Sequence, residues 1–132
     1  MEEVQLTENS FWDNVTWESV KYNKISREDF LRLKVRNPKL FSSFLGSEDG
    51  LQFFLFKPIS WGEFKDIRKK KLDKETTHEY ILNTCLLWPK LDIPDINSLD
   101  GGIMLTLIQQ ILTVSNFLST PEKALELILE IK

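Results

Sequence analysis

The chain has 132 residues, a length that suits one domain. Its 17 basic and 20 acidic side chains give a formal net charge of −3, so no bulk electrostatic pull toward nucleic acid exists. A hydrophobic share of 42% and a charged share of 28% are those of an ordinary globular chain, and the single cysteine, Cys85, excludes an internal disulfide.

One cysteine and an acidic, polar start (MEEVQLTENS) without a basic flank or apolar run give the expectation of a cytosolic protein. Residues 1–24 place Phe11, Trp12, Trp17 and Tyr22 among Glu, Asp, Asn and Thr. Ser10 can cap a short helix with Asp13 in its first turn. Beyond that, the apolar spacing fits neither a clean helix nor a clean strand. Two readings stand. One is an irregular arm folded back onto the domain, since large aromatics are usually buried. The other is an arm that docks on a partner through Phe11, Trp12 and Trp17. Residues 25–132 are expected to form a single helical domain.

Ser26, with Asp29 three positions on, predicts a helix over Arg27–Arg36 that stops before Pro38. Leu31, Leu33 and Val35 alternate with Arg32, Lys34 and Arg36, which is a strand period. The cap decides for helix. Two phenylalanine-rich runs follow, KLFSSFL over 39–45 and LQFFLFK over 51–57, with GSEDG between them. Aromatic runs bounded by glycine and small polar residues predict a β-hairpin at about 39–57. Phe53, Leu55 and Lys57 share one face and Phe54 and Phe56 the other. Either the chain covers both faces or one meets a partner.

Ser60-Trp61-Gly62-Glu63 has capping-box spacing and predicts a helix from Trp61 to about Leu72. Trp61, Phe64 and Ile67 share its apolar stripe. Arg68, Lys69, Lys70 and Lys71 close it, where positive charge complements the helix dipole. The plain reading of that cluster is a solvated helix end; the sharper one is a docking patch for an acidic segment. A further helix is predicted from Lys74 or Glu75 to Leu87, stopping before Trp88-Pro89, and KLDIPDINSLD over 90–100 reads as loop.

Residues 101–118, GGIMLTLIQQILTVSNFL, are apolar on every side except a strip of Thr106, Gln109, Gln110, Thr113 and Asn116. A helix this apolar needs cover on most sides, and it is too short and interrupted to span a membrane. It is the expected centre of the fold. A last helix, capped by Ser119 or Thr120, presents Leu125, Ile128 and Leu129 on a wide apolar face, and Glu122, Glu126 and Glu130 to water. The fold class expected is therefore mainly α with one small β-hairpin: a compact helical domain around a central buried helix.

No catalytic constellation emerges. A metal site could be drawn from His78, Glu75 and Cys85, but such sites need three or four convergent ligands, and no recognisable ligand spacing supplies the rest. His78 and Cys85 lie about ten ångströms apart along one helix, too far for proton transfer. Gly101-Gly102 opens a helix, but Asp100 would repel an anion there. The expectation is a non-enzyme with no catalytic residue, no metal and no cofactor.

One combination of segments carries a resemblance. It comprises Phe56-Lys57-Pro58-Ile59-Ser60-Trp61-Gly62-Glu63-Phe64, Cys85-Leu86-Leu87-Trp88-Pro89, Leu99-Asp100-Gly101-Gly102-Ile103 and Ile111-Leu112-Thr113-Val114-Ser115-Asn116-Phe117. Together these resemble the tail assembly chaperones of tailed bacteriophages, including small proteins assigned to baseplate hub assembly. Asn116 stands where that family closes its helix with glycine, and asparagine tolerates the same left-handed backbone. The resemblance implies a non-enzymatic protein of the host cytoplasm that binds the tape-measure protein or hub components and keeps them soluble. The acidic balance and the lack of a binding motif give the expectation of no nucleic-acid partner, and the short, interrupted helix that of no membrane partner; a homo-oligomer stays open. The candidate client surface is Phe54, Phe56, Trp61, Leu125, Ile128 and Leu129, with Phe11, Trp12 and Trp17 of the arm. A structural baseplate or tail subunit and a small inhibitor of a host protein are the alternatives.

Overall fold

Four consecutive side chains, Phe53, Phe54, Leu55 and Phe56, are each 0% exposed. In a strand, alternate residues point to opposite faces, so burial of all four requires cover on both sides of the sheet. The computed structural model supplies that cover. It describes residues 8–47, 50–116 and 129–131. In chain order these form α1 (Glu8–Asn14), a 3-10 turn (Trp17–Ser19), β1 (Val20–Tyr22), α2 (Arg27–Arg36), β2 (Leu40–Ser47) and β3 (Gly50–Phe56). There follow α3 (Trp61–Lys69), α4 (Lys74–Cys85), β4 (Leu86–Trp88), α5 (Ile93–Asn97), α6 (Gly101–Val114) and β5 (Leu129–Ile131).

The expectation of a mainly helical domain with one small hairpin is corrected. Among the described residues the hairpin is the centre of a five-stranded mixed sheet, with β3 between β2 and the pair β1 and β4, and β5 beyond β2. β2 and β3 are antiparallel, with Phe41 opposite Phe56 and Phe44 opposite Phe53. β1 runs parallel to β3 beside Leu51 and Gln52, and β4 runs antiparallel beside Leu55 and Phe56. Gly46 and Gly50 turn the hairpin at φ of +154° and +146°. A Cβ on Gly46 would lie 2.4 Å from the Gly50 carbonyl oxygen, so a side chain there has no room.

Each face has its own core. Phe54 and Phe56 pack with Ile67 of α3, Ile81, Leu82 and Cys85 of α4, Ile96 of α5 and Leu107, Ile108 and Ile111 of α6. Phe53 and Leu55 pack on the opposite face with Phe11 of α1, Val20, Ile25 and Phe30 of α2. The Phe11 and Phe30 rings stack with centroids 5.3 Å apart. Helices on both faces of a sheet make three layers, and the organising element is β3 rather than α6.

Several boundaries differ from the sequence reading. Residues 8–22, expected as an irregular arm, carry α1, a 3-10 turn and an edge strand, and Ser10 lies inside α1 instead of capping it. α3 ends at Lys69, and Lys71 takes a left-handed φ of 52°. Residues 86–88 leave α4 for a strand, because the free edge of β3 offers hydrogen bonds there. The loop over 90–100 contains α5, capped by Asp92 through the Asp95 N–H. α6 ends at Val114, and Asn116 takes the left-handed φ of 65°. The polar strip of α6 is only partly its wet side: Gln109 and Asn116 are exposed, but Gln110 is 2% and Thr113 4% exposed, while the apolar Leu105 is 61% exposed. The expected last helix falls mostly outside the described residues; its end, Leu129–Ile131, is β5, paired with β2.

Candidate functional site

Of the four segments that carry the resemblance, parts of three meet where β3 ends, around Lys57, Cys85 and Ser115. The fourth, residues 99–103, opens α6 near the hairpin tip instead. Lys57 continues the strand for one residue, its N–H donating to the Cys85 carbonyl at 3.0 Å. Pro58 and the buried Ile59 turn the chain into α3. The Ile59 N–H donates to Ser115 Oγ at 2.9 Å, and that hydroxyl donates to the Ile111 carbonyl at 2.6 Å. One serine thus ties the start of α3 to the end of α6.

Ser60 caps α3 with its hydroxyl, accepting from the Glu63 N–H at 3.1 Å, while Glu63 accepts from the Ser60 N–H at 3.1 Å. This reciprocal pair satisfies two N–H groups that the first turn of a helix leaves open. The Glu63 carboxylate also receives Lys57 Nζ on both oxygens, at 2.9 and 2.8 Å. Partial burial opposes ionisation of Glu63, but the bonds from Lys57 and Ser60 outweigh it and hold the carboxyl below its ordinary value. A groove of about 550 Å³ lies beside these residues, between Arg36–Lys39 and Val114–Asn116. Arg36 and Lys39 stand exposed on its rim.

Held by this cap, Trp61 begins α3 with 58% of its surface exposed. Its ring lies 6.0 Å from that of Phe64, and the Arg68 guanidinium sits 6.0 Å from the Phe64 centroid on the next turn. Lys70 Nζ lies 5.6 Å from the Tyr80 ring of α4. Lys65, Arg68, Lys69, Lys70 and Lys71 are all exposed. The outer side of α3 is therefore a short aromatic and cationic ridge.

The other candidate surface residues fare differently. Phe54 and Phe56, expected on a client-binding face, are core residues under α3, α4, α5 and α6. Phe11, expected as an arm anchor, is 1% exposed and packs on Phe30, Phe44 and Phe53. Trp12 and Trp17 are half-buried, with ring centroids 4.6 Å apart, and the Trp17 indole donates to the Trp12 carbonyl at 3.2 Å. Leu125 and Ile128 lie outside the described residues. Leu129 pairs through its backbone with Ser42.

Cys85 is 0% exposed. Burial pushes its thiol up to about 12, against the weaker pull of the Lys57 charge, so it is no nucleophile at neutral pH. Among the described residues no group of three or more His, Cys, Asp and Glu side chains could hold a metal ion, and no helix is long and apolar enough to cross a membrane. The cap is legible from Ser60 and Glu63. The Lys57–Glu63 pair and the Ser115 link carry no helical or strand spacing, and only the fold reveals them.

Comparisons with protein-family models, curated proteins and solved structures find no match to this chain.

Proposed function

We propose that this chain is a non-enzymatic assembly chaperone of tailed bacteriophages, which binds the tape-measure protein or baseplate hub components in the host cytoplasm. The observation that carries the reading is Trp61. A tryptophan 58% exposed at the first turn of a capped helix offers a large, rigid apolar contact at little entropic cost. A long helical client with exposed apolar stripes aggregates unless those stripes are covered. A helix that presents an aromatic anchor can cover them by helix-to-helix contact. Further support comes from the resemblance, two of whose segments are joined beside this cap by the bond from the Ile59 N–H to Ser115.

Co-expression of the chain with a tape-measure protein tests the reading. The expected outcome is a soluble complex where the tape-measure protein alone is insoluble. Failure to solubilise or co-purify overturns it. Mass spectrometry of purified tails separates a chaperone, which is absent, from a structural subunit, which is present.

A further inference from the structure

We infer that the outer side of α3 and the turn after it, from Trp61 to Lys71, is a docking surface for an acidic helical protein segment with an apolar anchor residue. The inference rests on the binding role just proposed and names the chemistry of the partner.

Charge segregation is the first ground. The whole chain is acidic, at −3, yet Lys65, Arg68, Lys69, Lys70 and Lys71 stand together and exposed on one short element. Two carboxylates accompany them, Glu63 and Asp66. Glu63 is already engaged by Lys57 on both oxygens. The basic excess therefore lies beyond what the helix dipole at its C-terminal turn calls for. Clusters of one sign on a surface of the other sign steer oppositely charged partners and set their orientation.

Geometry is the second ground. Trp61 is at the N-terminal end of α3, and Arg68 and Lys69 lie at the other, about 10–12 Å along the axis. Phe64 connects them, touching Trp61 on one side and Arg68 on the other. A partner helix laid along this ridge places one apolar side chain on Trp61 and carboxylates, two to three turns away, on Arg68 and the lysines. The Arg68 and Lys70 charges lie over the Phe64 and Tyr80 rings, and this cation–π attraction favours one placement of each side chain, so less freedom is lost when they pair.

The same features argue against other polyanions. Nucleic acid would meet net repulsion from the chain away from this helix. A membrane-surface helix needs an apolar face along its length. Here Ile67 is 5% exposed and turned into the core, leaving Trp61 as the large exposed apolar residue of α3.

The test is anisotropy of a fluorescein-labelled amphipathic peptide of about 20 residues, with leucine on one face and glutamate elsewhere, titrated with the full chain. A twin peptide carries lysine for glutamate. The expected result is binding of the glutamate peptide, weakened by added salt, and no binding of the twin. Trp61→Ala and the double reversal Arg68→Glu with Lys69→Glu should each weaken binding about tenfold. All three side chains are exposed, and circular dichroism checks that the variants fold. If Trp61→Ala unfolds, the charge reversal alone decides. Equal binding of the twin, or indifference to the charge reversal, overturns the inference. So does tighter binding of a single-stranded oligonucleotide or of phosphatidylglycerol vesicles, or a self-association that the same variants abolish. Co-purification with a tape-measure protein that survives these variants sinks the surface and leaves the chaperone reading standing; peptide binding without any such co-purification does the reverse.

Discussion

The indole Nε1–H of Trp88 donates to the main-chain carbonyl of Asn23 at 2.8 Å, across 65 residues of sequence. The bond joins the ends of β1 and β4, two strands of three residues each that lie one after the other along the same side of β3. Neither is long enough to hold its place by pairing alone. Asn23 adopts φ of 65°, a left-handed turn that asparagine tolerates. Trp88→Phe keeps an aromatic ring against the core and removes the donor. The expected loss is about 1 kcal/mol of unfolding free energy in urea, with an unchanged denaturant slope. No loss would mean that the two strands stay in place without this bond.

Ser115 is a second long-range tie. Its hydroxyl accepts from the Ile59 N–H and donates to the Ile111 carbonyl. Ser115→Ala leaves the Ile59 N–H without its acceptor at a buried residue, at an expected cost of about 1–2 kcal/mol. Ser115→Thr keeps the hydroxyl and should recover most of it. Thermal unfolding of both variants distinguishes the bond from simple packing, because alanine and threonine bracket serine in size.

The features legible in the amino-acid sequence are local ones. Ser26 and Ser60 cap α2 and α3 because a hydroxyl at fixed offset meets an open N–H, a pattern needing only four residues. The hairpin is legible for the same reason, from aromatic runs on either side of a glycine-bounded turn. α5 has its signals too, in Asp92, Asp95 and Pro94, but at five residues it is too short for any apolar period to separate it from loop. β1, β4 and β5 leave no such local mark. Leu86-Leu87-Trp88 continues the apolar pattern of α4, and its extended form is set by the edge of β3, which is remote in sequence. Periodicity likewise finds two kinds of side on α6 without telling which is covered. At the candidate site Ser60, Trp61 and Glu63 are legible, while Lys57 and Ser115 acquire their roles from tertiary approach.

The pH dependence of stability follows from Glu63. Its carboxyl is held below the ordinary value of 4.5 in the fold, because bonds from Lys57 and Ser60 outweigh partial burial. A group whose folded value is lowered adds stability above its unfolded value and loses it as pH falls through the folded one. Acid titration should therefore weaken the protein from about pH 4.5 downward. In Glu63→Gln the neutral-pH stability is lower and the acid slope shallower. Asp73, held low by hydrogen bonding to Thr76, maintains a residual slope. Added salt should shrink the Glu63 contribution, since its side chain is 36% exposed. A variant with the parent's acid slope would remove this assignment.

Gln110 is 2% exposed, and neither Oε1 nor Nε2 has a hydrogen-bond partner among the described residues. A buried amide without partners has lost its water and gained nothing in return. Gln110→Leu, close in size, should raise the unfolding free energy by about 1–3 kcal/mol. Chemical denaturation reads this directly. A loss of stability instead would show that the amide is paired in solution, by an ordered water in particular.

Phe54 and Trp61 set burial against exposure in one experiment. Phe54 is 0% exposed beneath the α3–α6 layer. Trp61 is 58% exposed above it. Phe54→Ala leaves a cavity in the sheet core and should cost about 3–5 kcal/mol, enough to unfold much of a marginal domain. Trp61→Ala removes a side chain that lies mostly in solvent, together with its contact to Phe64, and should cost within about 1 kcal/mol. Client binding by the two variants should then separate from stability. Trp61→Ala folds and binds the client about tenfold more weakly, whereas Phe54→Ala loses the client only in proportion to its unfolded fraction, and a stabilising second substitution such as Gln110→Leu restores part of it. If Phe54→Ala folds fully and still fails to bind while Trp61→Ala binds normally, then the sheet face, opened by some rearrangement of α3 to α6, is the client surface and the ridge of α3 is not.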